Sequence, residues 1–405
     1  MLLKNIIRIL KTSPLLIPIL GLIDLTLYLI DQLAILTAGS VSRKPNTLLI
    51  LRIDVLGDYL LFRPYLRAIR QSTKYKDYAI TLCANSAIRT VAEVFDHDLI
   101  DTFIWTDMYK LSTRPLYRFR FVQKLRQQGF ASVFCPTYSR VLVLDDFLAK
   151  ATGASERVGC LTDFANIKRW EAWFGNQLYT RLLPSGEGLV FELERNRRIV
   201  EAFLEEPLLA EQPRFNTAYA KPVLVPGQYT ILSLGAGQDF RVWPADRFAE
   251  VARYILTTYP DQHIILTGAP SEMSYADAFL KYVPESEQVI NLTGKLSIPE
   301  LIYVLSKADL LIANETGIVH LAASTNTPTI VISQGKSLVR WHPYSPPLHD
   351  RIIHLYPEYI EQNRSNLLPI AHKFNPESPF PITIIETDRV VRQLDILLKR
   401  GVSSQ

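Results

Sequence analysis

At 405 residues, 48% of them hydrophobic, the chain exceeds one ordinary domain and has ample material for buried cores. Its formal charge of +4 is small for that length and both signs are intermixed, so nothing points to nucleic acid as a partner. Cys83, Cys135 and Cys160 stand far apart without Cys-x-x-Cys or Cys/His spacing, so neither a disulfide framework nor a zinc site is expected, and a reducing compartment fits best.

The first element is unlike the rest. Leu15 to Leu36, "LLIPILGLIDLTLYLIDQLAIL", has bilayer-compatible length, with Asp24 and Asp31 as its only charges. Each Asp near a helix centre costs about 2.5–3.5 kcal/mol on insertion, which argues against a clean transmembrane span. The two acids are seven apart and share a helix face, as do Lys4, Arg8 and Lys11 in the preceding "LLKNIIRILK". Residues 1–44 therefore read as an amphipathic segment lying on a membrane surface, with Arg43 and Lys44 on its cytoplasmic side. The alternative is a helical hairpin packed on the protein's own core. The apolar run is too long for a cleavable signal peptide, and no convincing small-x-small cleavage site follows it.

From Thr47 onward, short apolar runs alternate with helical periodicity, the pattern of βαβ units around a parallel sheet. "TLLILRI" predicts a buried strand followed by a helix carrying Leu61, Tyr65, Ala68 and Ile69 on one face. "YAITLCAN", "IDTFIWT" and "ASVFCPT" continue the strands. Between the last two lies the basic helix "LYRFRFVQKLRQQG", whose Arg118, Arg120, Lys124 and Arg126 form, with the preceding Arg114, either a solvated face or a surface for an anionic acceptor. Residues 45–205 thus make one α/β domain. Pro207, Pro213, Pro222 and Pro226 mark 206–228 as a linker. The alternation restarts at "YTILSLGAG" and fills a second α/β domain over 229–385, followed by an amphipathic helix and tail over 386–405. Two doubly wound domains facing a cleft is the economical architecture.

Three strand-to-helix junctions carry candidate chemistry. "LRIDVLGDYLLFRP" supplies Asp54, Gly57 and Asp58. Read alone, Asp58 is a helix-capping acid, and Asp54 is expected to hold the turn or its neighbours. "SLGAGQDFRVWP" places Gly235 and Gly237 where backbone can approach a ligand, and adds Arg241, a forked cation suited to phosphate. The plainer reading is a tight turn with a solvated arginine. "ANETGIVHLAAS" sets Glu315, Thr316 and Gly317 at a helix start, a ready anion site, with His320 one turn in. His320 by itself reads as a hydrogen-bonded core residue.

Together these segments, with "NLTGKLSIPELIYVLSKADLLIANETG", resemble glycosyltransferase family 9, whose known members are ADP-heptose:lipopolysaccharide heptosyltransferases. The resemblance runs from about Thr47 to the end. It implies a glycosyltransferase-B fold and an inverting, metal-independent transferase that uses a nucleotide-sugar as co-substrate and no cofactor. It implies Asp58 as the base on the acceptor hydroxyl, and Arg241, Thr316, Gly317, His320, Gly235 and Gly237 around the donor diphosphate. Glu272, Thr293, Gly294, Lys295 and Glu315 would then face the nucleoside or ribose. Two positions depart from the family's pattern: Glu315 stands where Asp is usual, and Arg241 where Lys is usual. Both leave open a donor other than ADP-heptose. A further segment, "SQGKSLVRWHPYSP", matches one branch of the family loosely; it reads as a surface loop, with Arg340 and His342 as secondary candidates. The implied acceptor is lipopolysaccharide or another lipid-linked saccharide, and the implied location is the cytoplasmic face of the inner membrane. A catalytically silent nucleotide-sugar-binding scaffold and a nucleotide-sugar 2-epimerase are the alternative functions.

Overall fold

The computed structural model describes residues 17–374 and 378–402. Within them twelve strands form two six-stranded sheets, every pairing parallel. The first sheet contains β1 (Lys44–Arg52), β2 (Ala79–Asn85), β3 (Thr102–Thr106), β4 (Phe130–Phe134), β5 (Glu156–Cys160) and β6 (Arg181–Leu183), in the order β3-β2-β1-β4-β5-β6. The second contains β7 (Gln228–Ser233), β8 (Gln262–Thr267), β9 (Val289–Asn291), β10 (Leu310–Asn314), β11 (Thr329–Ile332) and β12 (Ile352–Leu355), in the order β12-β11-β10-β7-β8-β9. Both are the same doubly wound topology, with switch points between β1 and β4 and between β7 and β10, where such sheets bind ligands. Central strands covered on both faces have consecutive apolar residues, and Leu48–Leu51 and Leu310–Ala313 are wholly buried.

The expected single helix after β1 is two: α2 (Leu56–Phe62) and α3 (Pro64–Gln71). Pro64 has no amide proton to continue the ladder and instead opens the second helix at its first position. α2 packs on α7 (Gly317–Thr325) of the second unit, and one apolar cluster runs from Leu60 and Leu61 to Ile318 and Val319. The linker is strapped down as well: the Phe215 ring meets Phe95 at a tilt of 51° and 4.6 Å between centroids, with the Arg63 guanidinium 4.4 Å above the Phe215 ring. The final helix, α8 (Thr387–Val402), buries Val390, Leu394, Leu397 and Leu398 in the second core with Trp243 and Phe248.

The amino-terminal helix α1 (Ile17–Thr37) packs on α4 (Pro115–Gln127), the predicted basic helix. Arg118 is fully buried and meets Asp31 through two parallel bonds, Nε to Oδ1 at 2.7 Å and Nη2 to Oδ2 at 2.6 Å. Arg118 is thereby removed from any basic face. The alternative in which this segment packs on the protein's own core holds for α1; Lys4, Arg8 and Lys11 lie outside the described residues. No helix among the described residues is long and apolar enough to cross a membrane. Lys44 begins β1, and Arg43 donates from Nε to the Gly153 carbonyl at 3.0 Å.

Asp31→Ala leaves the Arg118 guanidinium buried without its counter-charge and should destabilise the fold by about 3–5 kcal/mol. Thermal denaturation checks this: a midpoint within 1 °C or so of the parent's would mean that the pair contributes nothing net.

Candidate active site at the two switch points

β1 ends in Arg52, a cation that is 1% exposed. It is held because it has work on every side: Nε meets Asp54 Oδ2 at 2.9 Å, Nη1 donates to the Pro136 carbonyl at 3.2 Å, and Nη2 donates to the Asp58 carbonyl at 3.1 Å. Asp54 thus neutralises the arginine that pins the Asp58 backbone. Gly57 lies in the first turn of α2, and its use is close approach: a Cβ there would sit 3.3 Å from His320 Cδ2 across the interface. Asp58 follows, half-buried at the cleft, with no side-chain capping partner. Burial, then the neighbouring Asp54 charge, push its pKa up to about 7, with Arg52 and Arg340 opposing and Glu192 adding to the rise. Burial likewise lifts Asp54 to about 6, against the pull of Arg52.

The second unit supplies the cations and amides. Arg241 Nη2 binds Glu315 Oε1 at 2.8 Å and also the Glu315 carbonyl. The other carboxylate oxygen of Glu315 takes His342 Nε2 at 2.7 Å and the Ser333 hydroxyl. Burial alone would raise the pKa of Glu315; His342, Arg241 and Ser333 together bring it below the ordinary carboxylate range. His342 Nε2 faces two acceptors, Glu315 and the Lys336 carbonyl at 2.8 Å, so it carries the proton, while Nδ1 pairs with Tyr356 Oη at 2.6 Å. Thr316 is the N-cap of α7 in extended conformation, and its hydroxyl makes no capping bond, which leaves it and the first-turn amides for a ligand. His320 is buried, Nδ1 paired with Tyr344 Oη at 2.7 Å, and burial lowers its pKa to about 4. It is neutral near pH 7 and acts as a hydrogen-bonding ring, not as a cation. Asp58, Arg241, Glu315, Thr316, Gly317 and His320 line one interdomain cleft of about 420 Å³.

Of the residues expected at the nucleoside, Glu272, Thr293, Gly294 and Lys295 gather at the ends of β8 and β9, and Gly235, expected at the diphosphate, lies beside them after β7 and outside the lining of that cleft. A Cβ on Gly235 would lie 2.3 Å from Glu272 Oε1, so the bare backbone is what admits that carboxylate. Glu272 Oε2 accepts the Ala269 amide at 2.7 Å. Beside it, Thr293 and Thr267 are 3% and 2% exposed, and neither hydroxyl has a partner among the described residues. The two hydroxyls lie at the ends of the neighbouring strands β8 and β9, where each can bond a polar atom of a ligand. Gly294 follows Thr293, Gly237 is exposed beyond Gly235, and Lys295 is exposed with Nζ on the Asn291 carbonyl at 2.7 Å. Glu315 is not in this group: its carboxylate serves Arg241.

The expectation of a surface loop for "SQGKSLVRWHPYSP" fails. Trp341 and the buried His342 line the cleft, and Arg340 bridges the domains, 3.3 Å from both Asp163 and Glu192 and donating to Ser139 Oγ at 2.7 Å. Sequence reading missed Arg52, Glu192, Ser333 and Tyr344. Arg52 had a signal, a cation ending an otherwise apolar strand, whereas Glu192 looks like any acid at a helix start.

The family model for "Glycosyltransferase family 9 (heptosyltransferase)" matches residues 137–368. Lipooligosaccharide heptosyltransferase 2 of Haemophilus influenzae is 24% identical over 147 residues, 35% of this chain and 41% of that protein, so the match spans less than half of that relative. Among solved structures, the family 9 glycosyl transferase of Veillonella parvula superposes with a TM-score of 0.68 at 16% identity, covering 89% of this chain and 99% of the other. The E. coli ADP-heptose lps heptosyltransferase II gives 0.62 at 15%, covering 88% and 99%. These likenesses show the two-domain glycosyltransferase fold. With more than half of its length matched by the family model, the chain belongs to glycosyltransferase family 9.

Proposed function

We propose that the protein is an inverting, metal-independent glycosyltransferase that moves a heptose or related sugar from a nucleotide diphosphate donor to a lipopolysaccharide or other lipid-linked acceptor. The observation that carries this reading is the pairing, in one cleft, of a single unengaged carboxylate with a diphosphate-sized set of donors. Asp58 accepts the proton of the acceptor hydroxyl, and that oxygen attacks the anomeric carbon from the face opposite the leaving group. The bond from anomeric carbon to phosphate oxygen breaks, and the electron pair departs on the nucleoside diphosphate. Arg241, the Thr316 hydroxyl and the first amides of α7 receive that charge, held in place beforehand by Glu315 and the cap geometry. Since Glu315 is occupied by three partners, the cleft holds among the described residues no second free carboxylate to form a covalent intermediate, which supports one displacement with inversion. Thr267, Glu272 and Thr293 supply polar contacts for the nucleoside. We place the protein on the cytoplasmic membrane face, where a lipid-linked acceptor is confined and surface attachment raises its effective concentration.

Asp58→Asn should leave donor binding by calorimetry nearly unchanged and reduce transfer by about 10²–10⁴-fold. Turnover at parental rate would remove the base assignment, while donor binding without turnover in the parent protein would identify a silent binding protein.

Arg241→Ala should weaken nucleoside diphosphate binding by about 1.5–3 kcal/mol and leave nucleoside binding close to parental. Equal losses for both ligands would contradict the phosphate role.

The pH profile follows from the sign of the Asp58 shift. The fold favours the protonated acid, and catalysis needs the carboxylate, so kcat/KM rises with pH through an acid limb near 7. Asp54→Asn removes a repelling charge and frees Arg52 for Asp58, so the limb should move to lower pH. An unmoved limb would show that another group sets it.

A further inference from the structure

The fold sorts the cations of the basic helix into separate tasks. Arg118 is buried on Asp31, and Arg126 lies against Gly153. Arg114, the N-cap of α4, stays exposed together with Arg120 and Lys124, and all three line a groove of about 690 Å³ between that helix and β3. No acid lines this groove.

Its walls are aromatic. Phe103 and Trp105 stack in parallel at 5.3 Å on the β3 side, and Tyr117 and Phe121 at 6.4 Å on the α4 side. Between them runs a free sheet edge, because β3 is the outermost strand of the first sheet. The Asp101 amide bonds back to the Ile80 carbonyl of β2, so the alternation of a parallel ladder turns the Ile104 amide and carbonyl outward, toward the groove. The groove also shares its domain with Asp58. Trp105 is level with Ala84 and Ala84 with Arg52, which sets its upper end two strands, about 10 Å, from the end of β1.

We infer that this groove is a second acceptor site, which holds a phosphate- or carboxylate-bearing saccharide extending from the sugar unit at Asp58. A sugar ring has a face of C–H groups and a rim of hydroxyls, and an anionic saccharide adds charge. Flat aromatic walls, a free backbone edge and three unopposed cations answer those features in turn. An added peptide strand would need a longer open edge: β3 has five residues, and the Tyr117 hydroxyl crosses its end, 3.3 Å from Thr106 Oγ1 and 3.2 Å from the Asp107 amide. A second copy of the groove would bring like charges together. Residues 1–16 carry Lys4, Arg8, Lys11 and no acid, so they supply no anion either. The inference deepens the acceptor side of the proposed reaction and rests on that reading only for placing the reacting hydroxyl at Asp58.

The test is calorimetry on the full chain with phosphorylated mannopentaose, its dephosphorylated form and a hexaglutamate peptide. The phosphosaccharide should bind, less tightly as salt rises, and both controls should bind at least about 10-fold more weakly. Arg114→Gln/Arg120→Gln/Lys124→Gln should lower its affinity by roughly 5-fold for each charge and leave nucleoside diphosphate binding parental. Saturating nucleoside diphosphate should not displace it, and the change in tryptophan fluorescence on binding should be absent in Trp105→Phe. The three cations are exposed, and circular dichroism confirms folding. The site is overturned by absent binding, by equal affinity for hexaglutamate or the dephosphorylated sugar, by parental affinity in the triple variant, or by displacement with nucleoside diphosphate. A chain that binds the phosphosaccharide but transfers no sugar counts against the proposed reaction and leaves the groove standing.

Discussion

The cleft depends on how closely two helix starts approach each other across the domain interface. α2 follows the switch-point strand β1, α7 follows β10, and they touch where Gly57 leaves 3.3 Å for an atom that is not there before His320. The contact is held by a buried apolar cluster shared by both units, which sets the separation but not the orientation, because hydrophobic burial has no direction. Orientation comes from Arg340, anchored in the second domain and tied to Asp163, Glu192 and Ser139 of the first. A Cβ at position 57 would press on the buried His320 ring, which would have to give way beside Asp58 and Thr316.

Two carboxylates in that cleft show how one physical rule gives opposite outcomes. Burial disfavours the charge on both. Asp58 receives little compensation, since Arg52 spends its geometry on Asp54 and on backbone carbonyls, and its proton affinity rises into the range where a base is useful. Glu315 receives three partners and stays an anion. The two departures from the family pattern then explain each other. A glutamate reaches one methylene further than an aspartate, far enough to meet Arg241, Ser333 and His342 at once, and a planar guanidinium can hold that carboxylate with one edge and keep further donors for a phosphate.

Much of this was legible in the sequence, and the reason is local. Buried parallel strands announce themselves as apolar runs, and the three candidate junctions each lie within one strand-turn-helix unit, so Asp58, Arg241 and Thr316 were found from neighbours alone. Even the break at Pro64 was visible in principle. What could not be read are pairings across the chain: Asp31 with Arg118, 87 residues apart; Arg241 with Glu315, 74 apart; Arg340 with Ser139, 201 apart. Each partner has an innocent local reading, as a membrane-facing acid, a solvated arginine or a loop residue. Only the fold decides which cation meets which anion.

The Asp31–Arg118 pair also decides what α1 can be. An isolated helix of that composition would rotate freely to hide its leucines and show its acids. Two parallel charge-assisted bonds, made where both groups are almost fully buried, fix its rotation about its own axis, because turning the helix by one residue would strand a guanidinium and a carboxylate in an apolar setting. The leucines are therefore held outward by an interaction on the opposite side of the helix. The ion pair faces the protein and the apolar stripe faces away, so the same acid that argued against a span through the bilayer decides which side of α1 is exposed.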